Sequence, residues 1–260
     1  MSYFLLGPIK IHYYGITATL GALAGLILAR FLARKFKISP EKIDNISFWL
    51  IIFGVLGARF YHILNAWTYY VNYPANMLYI WQGGLAIHGG LIVGFLVLIF
   101  FVKKYKINFW QLADIFLPAL VLGYSIGRWG NFFNQELFGR PTNLPWKIFI
   151  DFAHRPAGYE NAVYFHPVFL YEFILGAVIA LGLLIYLHWR IKIKNQQMPI
   201  RGIIAGAVLF LWTLGRFLVE FLRIDAVPLI FGIRLPLLVS LCLMAMGSGI
   251  FVYKVCRRNN

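Results

Sequence analysis

The stretch GRWGNFFNQELFGR, Gly127 to Arg140, places two arginines, two asparagines, a glutamine and a glutamate within fourteen residues of an otherwise apolar chain. Arginine presents a planar fork of donors that grips two oxygens of one phosphate or carboxylate. Arg128 and Asn131 stand three apart, so on a helix they share a face, and Asn134 and Gln135 extend the stripe. Glu136 and Gly139 follow where the helix should break, and Gly130 and Gly139 permit close backbone approach. A second set, Arg216, Glu220 and Arg223, has i, i+4, i+7 spacing, so Glu220 is expected to bridge the two guanidinium groups and leave donors free for an anion. His88 sits beside Gly89 and Gly90 at a predicted helix start, where it can act as base, donor or simple hydrogen-bond partner. No HExxH, paired CxxC or carboxylate cluster is present, so neither a metal nor another cofactor is expected. Ser125 is the nearest serine, and it has neither a nucleophile elbow nor a base partner in sequence.

The elements that must hold these residues are membrane helices. Of 260 residues, 61% are hydrophobic and 13% charged, about half the charge of a soluble domain. Seven apolar runs are predicted as spans: 13–33, 46–66, 85–102, 110–127, 168–189, 202–222 and 236–255, with a kink at Pro118. Fourteen cations fall on one side of this arrangement: Arg34, Lys35, Lys37, Lys42, Lys103, Lys104, Lys106, Arg190, Lys192, Lys194, Arg201, Lys254, Arg257 and Arg258. The segment 67–84 on the opposite side has none, and 224–235 has only Arg234. The positive-inside rule therefore predicts an all-α polytopic protein with the N-terminus outside and the C-terminus cytoplasmic. This topology accounts for most of the net charge of +15, so no nucleic-acid partner is expected. The start lacks a basic n-region and cleavage site, so no cleaved leader is expected. Residues 1–260 read as one membrane-embedded domain, and 128–166 as a small outer cap with a short β-hairpin, its strands within 146–152 and 162–165. Cys242 and Cys256 read as small buried apolar residues.

The topology also assigns depths. Tyr14, Arg59, His62, His88, Arg128, Asn131, His166, Glu172, Arg216, Glu220 and Arg223 all fall at the outer end of their spans. Asp114 alone lies in the inner half, where it reads as an acid at the N-terminus of its own helix. A charge in the membrane costs roughly 2.5–3.5 kcal/mol on the insertion scale, so charges sharing one depth must offset each other or line a hydrated cavity. Gathered arginines in the outer leaflet point to a phospholipid headgroup. A transporter would place such groups near the midplane, on broken helices and often with repeats. A lipid-binding scaffold without chemistry has the same charge pattern and is separated only by assay.

At these residues the sequence resembles the bacterial phosphatidylglycerol–prolipoprotein diacylglyceryl transferase family. The run from Gly127 to Gly139 is similar to its long signature G-R-x-G-N-F-x-N-x-E-x-x-G. Tyr13-Tyr14-Gly15, His88-Gly89-Gly90, His166-Pro167 with Leu170-Tyr171-Glu172, and the Arg216-to-Arg223 run resemble further elements of the family. Trp212 departs from it, standing where the family has a tyrosine. The resemblance implies transfer of the diacylglyceryl group of phosphatidylglycerol to the lipobox cysteine thiol of a preprolipoprotein signal peptide, in the bacterial inner membrane with the site toward the periplasmic leaflet. On this reading Arg128 and Arg216 hold the phosphate. His88 assists thiol deprotonation or orients a substrate oxygen, with a glutamate such as Glu136 as the alternative base. Asn131, Glu136 and Tyr14 form the polar floor, Gly139 contributes to the lipid site, and Glu220 and Arg223 set the electrostatics around Arg216.

Overall fold

The computed structural model describes residues 3–7, 9–193 and 201–256. Lys194, Arg257 and Arg258 of the cation count lie outside the described residues. The chain begins with an antiparallel hairpin, β1 (Tyr3–Leu6) and β2 (Ile9–His12), turning at Gly7 with φ +61°. It continues through α1 (Tyr13–Lys35), α2 (Pro40–Asn65), a short α3 (Trp67–Asn72), α4 (Ile87–Tyr105), α5 (Phe109–Gly127) and a short α6 (Trp129–Asn134). The cap follows, with β3 (Ile148–Phe149) and β4 (Tyr164–Phe165), and then α7 (Val168–His188) and α8 (Ile203–Glu220). A last hairpin, β5 (Leu229–Ile230) and β6 (Ile233–Arg234), leads into α9 (Leu235–Cys256).

Seven helical segments are long and apolar enough to cross a membrane: 13–35, 40–65, 87–105, 109–134, 168–193, 203–220 and 235–256. The protein is thus an all-α, multi-pass membrane protein, as the sequence predicts. The largest difference at the start of a span is at α2, which begins at Pro40 rather than 46. Pro40 occupies the first helical turn, where its missing N–H costs nothing. Ile43 and Ile46, one turn apart, are fully buried, so the polar residues between them belong to an amphipathic turn and not to a loop. The cap hairpin is present, with Ile148 opposite Phe165 and Phe149 opposite Tyr164. The other two hairpins have no counterpart in the sequence reading.

The chain forms two compact units, Met1–Ala29 with Ala113–Asn260, and Arg30–Leu112. In the first, α8 and α9 approach through glycines. A Cβ on Gly206 would meet Gly247 O at 3.0 Å, and one on Gly247 would meet Phe210 N at 2.7 Å. Small residues that let backbones touch are how helices associate without a hydrophobic driving force. The cap has its own apolar core of Phe138, Ile150 and Phe165. In the second unit α2 packs on α4, where a Cβ on Gly57 would meet Gly89 O at 2.7 Å.

Two expectations are corrected. Cys242 and Cys256 are exposed, because α9 turns most of its surface outward to the apolar surroundings and buries only a narrow seam. Asp114 is fully buried, and it serves a different helix from its own. Its Oδ2 accepts from Gly202 N at 2.6 Å and its Oδ1 from Ala205 N at 2.7 Å, so it caps the N-terminus of α8. Those amides have no partner within α8 and would otherwise be buried unsatisfied. Replacing Asp114 by Ala should therefore cost about 2–3 kcal/mol. The measurement is the thermal midpoint of the purified protein, and Asp114→Asn, which keeps one acceptor, should lose less.

Candidate active site

Glu172 lies one turn inside α7 with 2% of its side chain exposed. Its carboxylate gathers three arginines. Arg128 Nε pairs with Oε2, Arg216 Nη1 with Oε1, and Arg223 Nη1 stands 3.9 Å from Oε1. Each arginine arrives from a different place. Arg128 marks the junction of α5 and α6, where its backbone N donates to Tyr124 O at 3.2 Å. Its guanidinium lies over the Tyr124 ring, 4.4 Å from the centroid. Arg216 comes from the last turns of α8, and Arg223 from just beyond its end. Without Glu172 these three cations would face one another in a poorly solvated site. Arg128 and Arg216 keep 14% and 16% side-chain exposure against 8% for Arg223, so those two retain edges that a ligand can reach.

A second buried acid, Glu220, corrects the expected bridge between Arg216 and Arg223. Arg216 is taken by Glu172, and Glu220 instead binds Arg234, with Nε and Nη2 at 2.9 and 2.8 Å from Oε1. Arg223 Nε is 3.7 Å from Glu220 Oε2. Arg223 also forms a two-pronged pair with Asp225, at 2.7 and 3.0 Å. The i, i+4 register does put Arg216 and Glu220 on one face, but Glu172 and Arg234 offer better-aligned partners from neighbouring elements. Among the described ion pairs of this cluster, four guanidinium groups meet three carboxylates. The excess is positive, which suits an anion.

The motif residues extend this cluster as a hydrogen-bonded line. Arg128 Nη1 donates to Asn131 Oδ1 at 3.0 Å, and Asn131 Nδ2 donates to Glu136 Oε1 at 2.8 Å. Asn131 is 3% exposed, whereas Glu136 is exposed at the edge of a cavity of about 550 Å³ that also meets His12, Gln135, Asp151 and His154. Tyr14 packs its ring on Gly130, where a Cβ would collide with it. Gly139 bridges to Arg223 in β fashion and donates its N–H to His166 O at 3.0 Å. A Cβ there would meet His166 Cβ at 2.8 Å and Leu222 O at 3.0 Å. Only glycine lets the Arg223 backbone lie this close to the start of α7. The structure thus gives Gly139 a packing position that brings Arg223 to Glu172.

The family model of prolipoprotein diacylglyceryl transferase matches residues 2–253. The chain belongs to this family. A relative from Nostoc sp., named phosphatidylglycerol–prolipoprotein diacylglyceryl transferase, is 41% identical over 242 residues, covering 93% of this chain and 84% of its own length. One of the same name from Synechocystis sp. is 36% identical over 258 residues, covering 99% and 90%. A third, from Synechococcus elongatus, is 41% identical over 243 residues, covering 93% and 83%.

The remaining residues singled out in this family member divide by role. His88 belongs to the second unit, on the first turn of α4, exposed and with its ring 6.0 Å from that of Tyr61. Arg59, in the same unit, is 6% exposed and bound to backbone carbonyls alone among its hydrogen bonds: Met77 O at 3.0 Å, Gly83 O at 2.6 Å, Gly84 O at 3.0 Å, Tyr79 O at 3.4 Å and Asn76 O. Its donors hold the segment that follows α3, so it ties a loop instead of lining a hydrated cavity. His166 Nδ1 faces Tyr171 Oη at 2.9 Å, and Tyr171 in turn accepts from Trp146 Nε1 at 2.9 Å, which ties the cap to α7. Burial holds His166 below the ordinary histidine value, which favours its neutral ring. Ser125 donates to Val121 O at 2.8 Å and packs against Gly176, so it is a helix contact and not a nucleophile. Trp212 rests its ring edge-on against Tyr124, 5.4 Å between centroids.

The sequence reading names Glu172 at the right depth but gives it no partner, and it leaves Arg234 and Asp225 out of the site. Gly232 suits the second position of the turn that folds Arg234 back on Glu220, but Phe231 at the first position hides the signal. Burial alone would raise Asp225, but the hydrogen bond and charge of Arg223, then the charge of Arg234, hold it below 3.8. Burial likewise opposes the charge on Arg223, and Asp225 outweighs it. A depressed carboxylate stabilises above its unfolded value and loses that contribution as pH falls through its folded value. Asp225→Asn should therefore lower stability at neutral pH, and the gap to the wild type should close below about pH 4. Unfolding midpoints of both proteins across pH check this, and a gap that persists in acid would exclude the charge as its cause.

Proposed function

We propose that this chain is a phosphatidylglycerol–prolipoprotein diacylglyceryl transferase. It moves the diacylglyceryl group of phosphatidylglycerol onto the lipobox cysteine of a preprolipoprotein, the first step of lipoprotein maturation. The observation that carries the reading is the arginine cluster on Glu172, positive in excess and open at Arg128 and Arg216. The peptide sulfur attacks the glyceryl carbon bonded to phosphate. A C–S bond forms, the C–O bond breaks, and glycerol phosphate leaves with the electron pair. Arg128 and Arg216 bind the phosphate and stabilise the charge that develops on it. The nucleophile comes from the peptide, so the enzyme needs no cysteine of its own.

The thiol proton needs an acceptor. Histidine, ordinarily near 6.5, matches a thiol near 8.5 better than a carboxylate near 4.3 does. We therefore assign the proton to His88. Glu136 orients Arg128 through Asn131, and Tyr14 packs over the Gly130 turn beside it. The cation distribution supports an N-terminus outside and a C-terminus in the cytoplasm, with the arginine cluster in the outer leaflet of the bacterial inner membrane.

Phosphatidylglycerol vesicles and a lipobox peptide, read by the mass of the diacylglyceryl adduct, test this. Arg128→Ala should lower turnover by at least about 100-fold, as loss of a preorganised charge donor does. Near-normal turnover would refute the phosphate role. His88→Gln should remove the acid limb of the pH–rate profile, whereas Glu136→Gln should depress turnover across the range with the limb intact. A limb that survives His88→Gln moves the base elsewhere. Binding of phosphatidylglycerol without any adduct would make the protein a lipid-binding scaffold.

A further inference from the structure

The hairpin between α8 and α9 presents an apolar tip that touches little of the protein. Phe231 is 98% exposed, Leu229 64%, Ile233 44% and Ile230 41%. Its turn residues, Phe231 and Gly232, both have positive φ, +50° and +76°. That two-residue turn favours asparagine or glycine at its first position, and a bulky phenylalanine there is strained. Packing within the chain does not hold Phe231 in this conformation. From Ala226 to Ile233 the sequence AVPLIFGI carries no charge. An exposed apolar patch of this kind marks a partner or membrane contact.

The base of the hairpin is fixed. Arg234 binds Glu220 through Nε and Nη2 and donates Nη1 to Asp225 O at 3.0 Å, and Leu235 N donates to Pro228 O at 2.9 Å. Arg234 is the residue immediately before α9 and is paired with the last residue of α8, so the tip is anchored to the ends of two membrane spans. The ends of those spans nearest the hairpin also expose apolar side chains, Leu218 and Phe221 at the end of α8 and Val239 near the start of α9. An uncharged apolar tip anchored to the ends of two spans with exposed apolar sides has lipid as its neighbour.

We propose that the β5–β6 hairpin is a bilayer-inserting wedge, with Phe231 and its neighbours among the acyl chains of the leaflet beside the arginine cluster. Arg234 passes the depth of the wedge to Glu220 and so sets the height of the Glu220–Arg223 pair against the lipid headgroups. This lipid contact goes beyond the transferase reading and does not depend on it.

The test places a single cysteine at the tip, Phe231→Cys or separately Leu229→Cys, with Cys242 and Cys256 replaced by alanine. An environment-sensitive fluorophore is attached, and the protein is reconstituted in vesicles of phosphatidylglycerol and phosphatidylethanolamine. Emission should be blue-shifted, quenched by lipids spin-labelled on the acyl chain and protected from aqueous iodide. The same label at Glu160→Cys, exposed in the cap, serves as the iodide-accessible control. Iodide access without acyl-chain quenching would overturn the proposal. So would a tip that becomes shielded only when lipobox peptide is added, since the surface would then belong to the peptide. In the transfer assay Phe231→Asp should raise the KM for vesicle phosphatidylglycerol several-fold at similar kcat, with the difference shrinking in detergent micelles. An inactive wild type would void that last measurement and leave the fluorescence result standing.

Discussion

One carboxylate organises this site. Glu172 sits where three arginines from separate parts of the chain converge, and among the described ion pairs it is the one carboxylate that holds Arg128 and Arg216 in a poorly solvated interior. Its two oxygens serve Arg128 and Arg216 on opposite sides, which orients both forks while leaving part of each exposed. The neighbouring acid Glu220 does a different task. It faces Arg234 and the hairpin and keeps Arg223 as a buried strut. The division of labour follows from where each acid lies: Glu172 one turn into α7, Glu220 at the last residue of α8.

Glycine placement makes this convergence possible. The cap strand through Gly139 runs between Arg223 and His166, and no side chain fits at that crossing. The motif that bears Arg128 therefore also supplies the spacer that seats Arg223. The motif's polar line ends at Glu136, at the rim of an open cavity, so one short segment reaches from the buried acid to the solvated surface.

Much of this was legible in the residues. Seven spans followed from apolar run lengths, and the shared depth of Arg128, Asn131, Glu172, Arg216, Glu220 and Arg223 followed from counting along alternating helices. The pairing did not. Spacing along one helix links Arg216 to Glu220, but the partner that wins comes from α7, and only tertiary geometry shows which acid is better aligned. Asp114 reads as a cap for its own helix, yet it caps one 88 residues away. The hairpins at both ends of the chain are two to four residues per strand, too short for a periodic signal. The cysteines of α9 were assigned by the habits of soluble proteins, where apolar means buried; in a membrane helix it does not.

Arg59 illustrates a third way to keep a cation in an apolar setting. Its hydrogen-bond acceptors are peptide carbonyls, groups that gain and lose no protons in the biological range. The loop it secures is therefore fastened by a tie that acidity does not loosen. The Arg223–Asp225 pair, whose acceptor titrates, has no such immunity. In acid the strap beyond α8 would thus yield first, while the segment following α3 kept its shape.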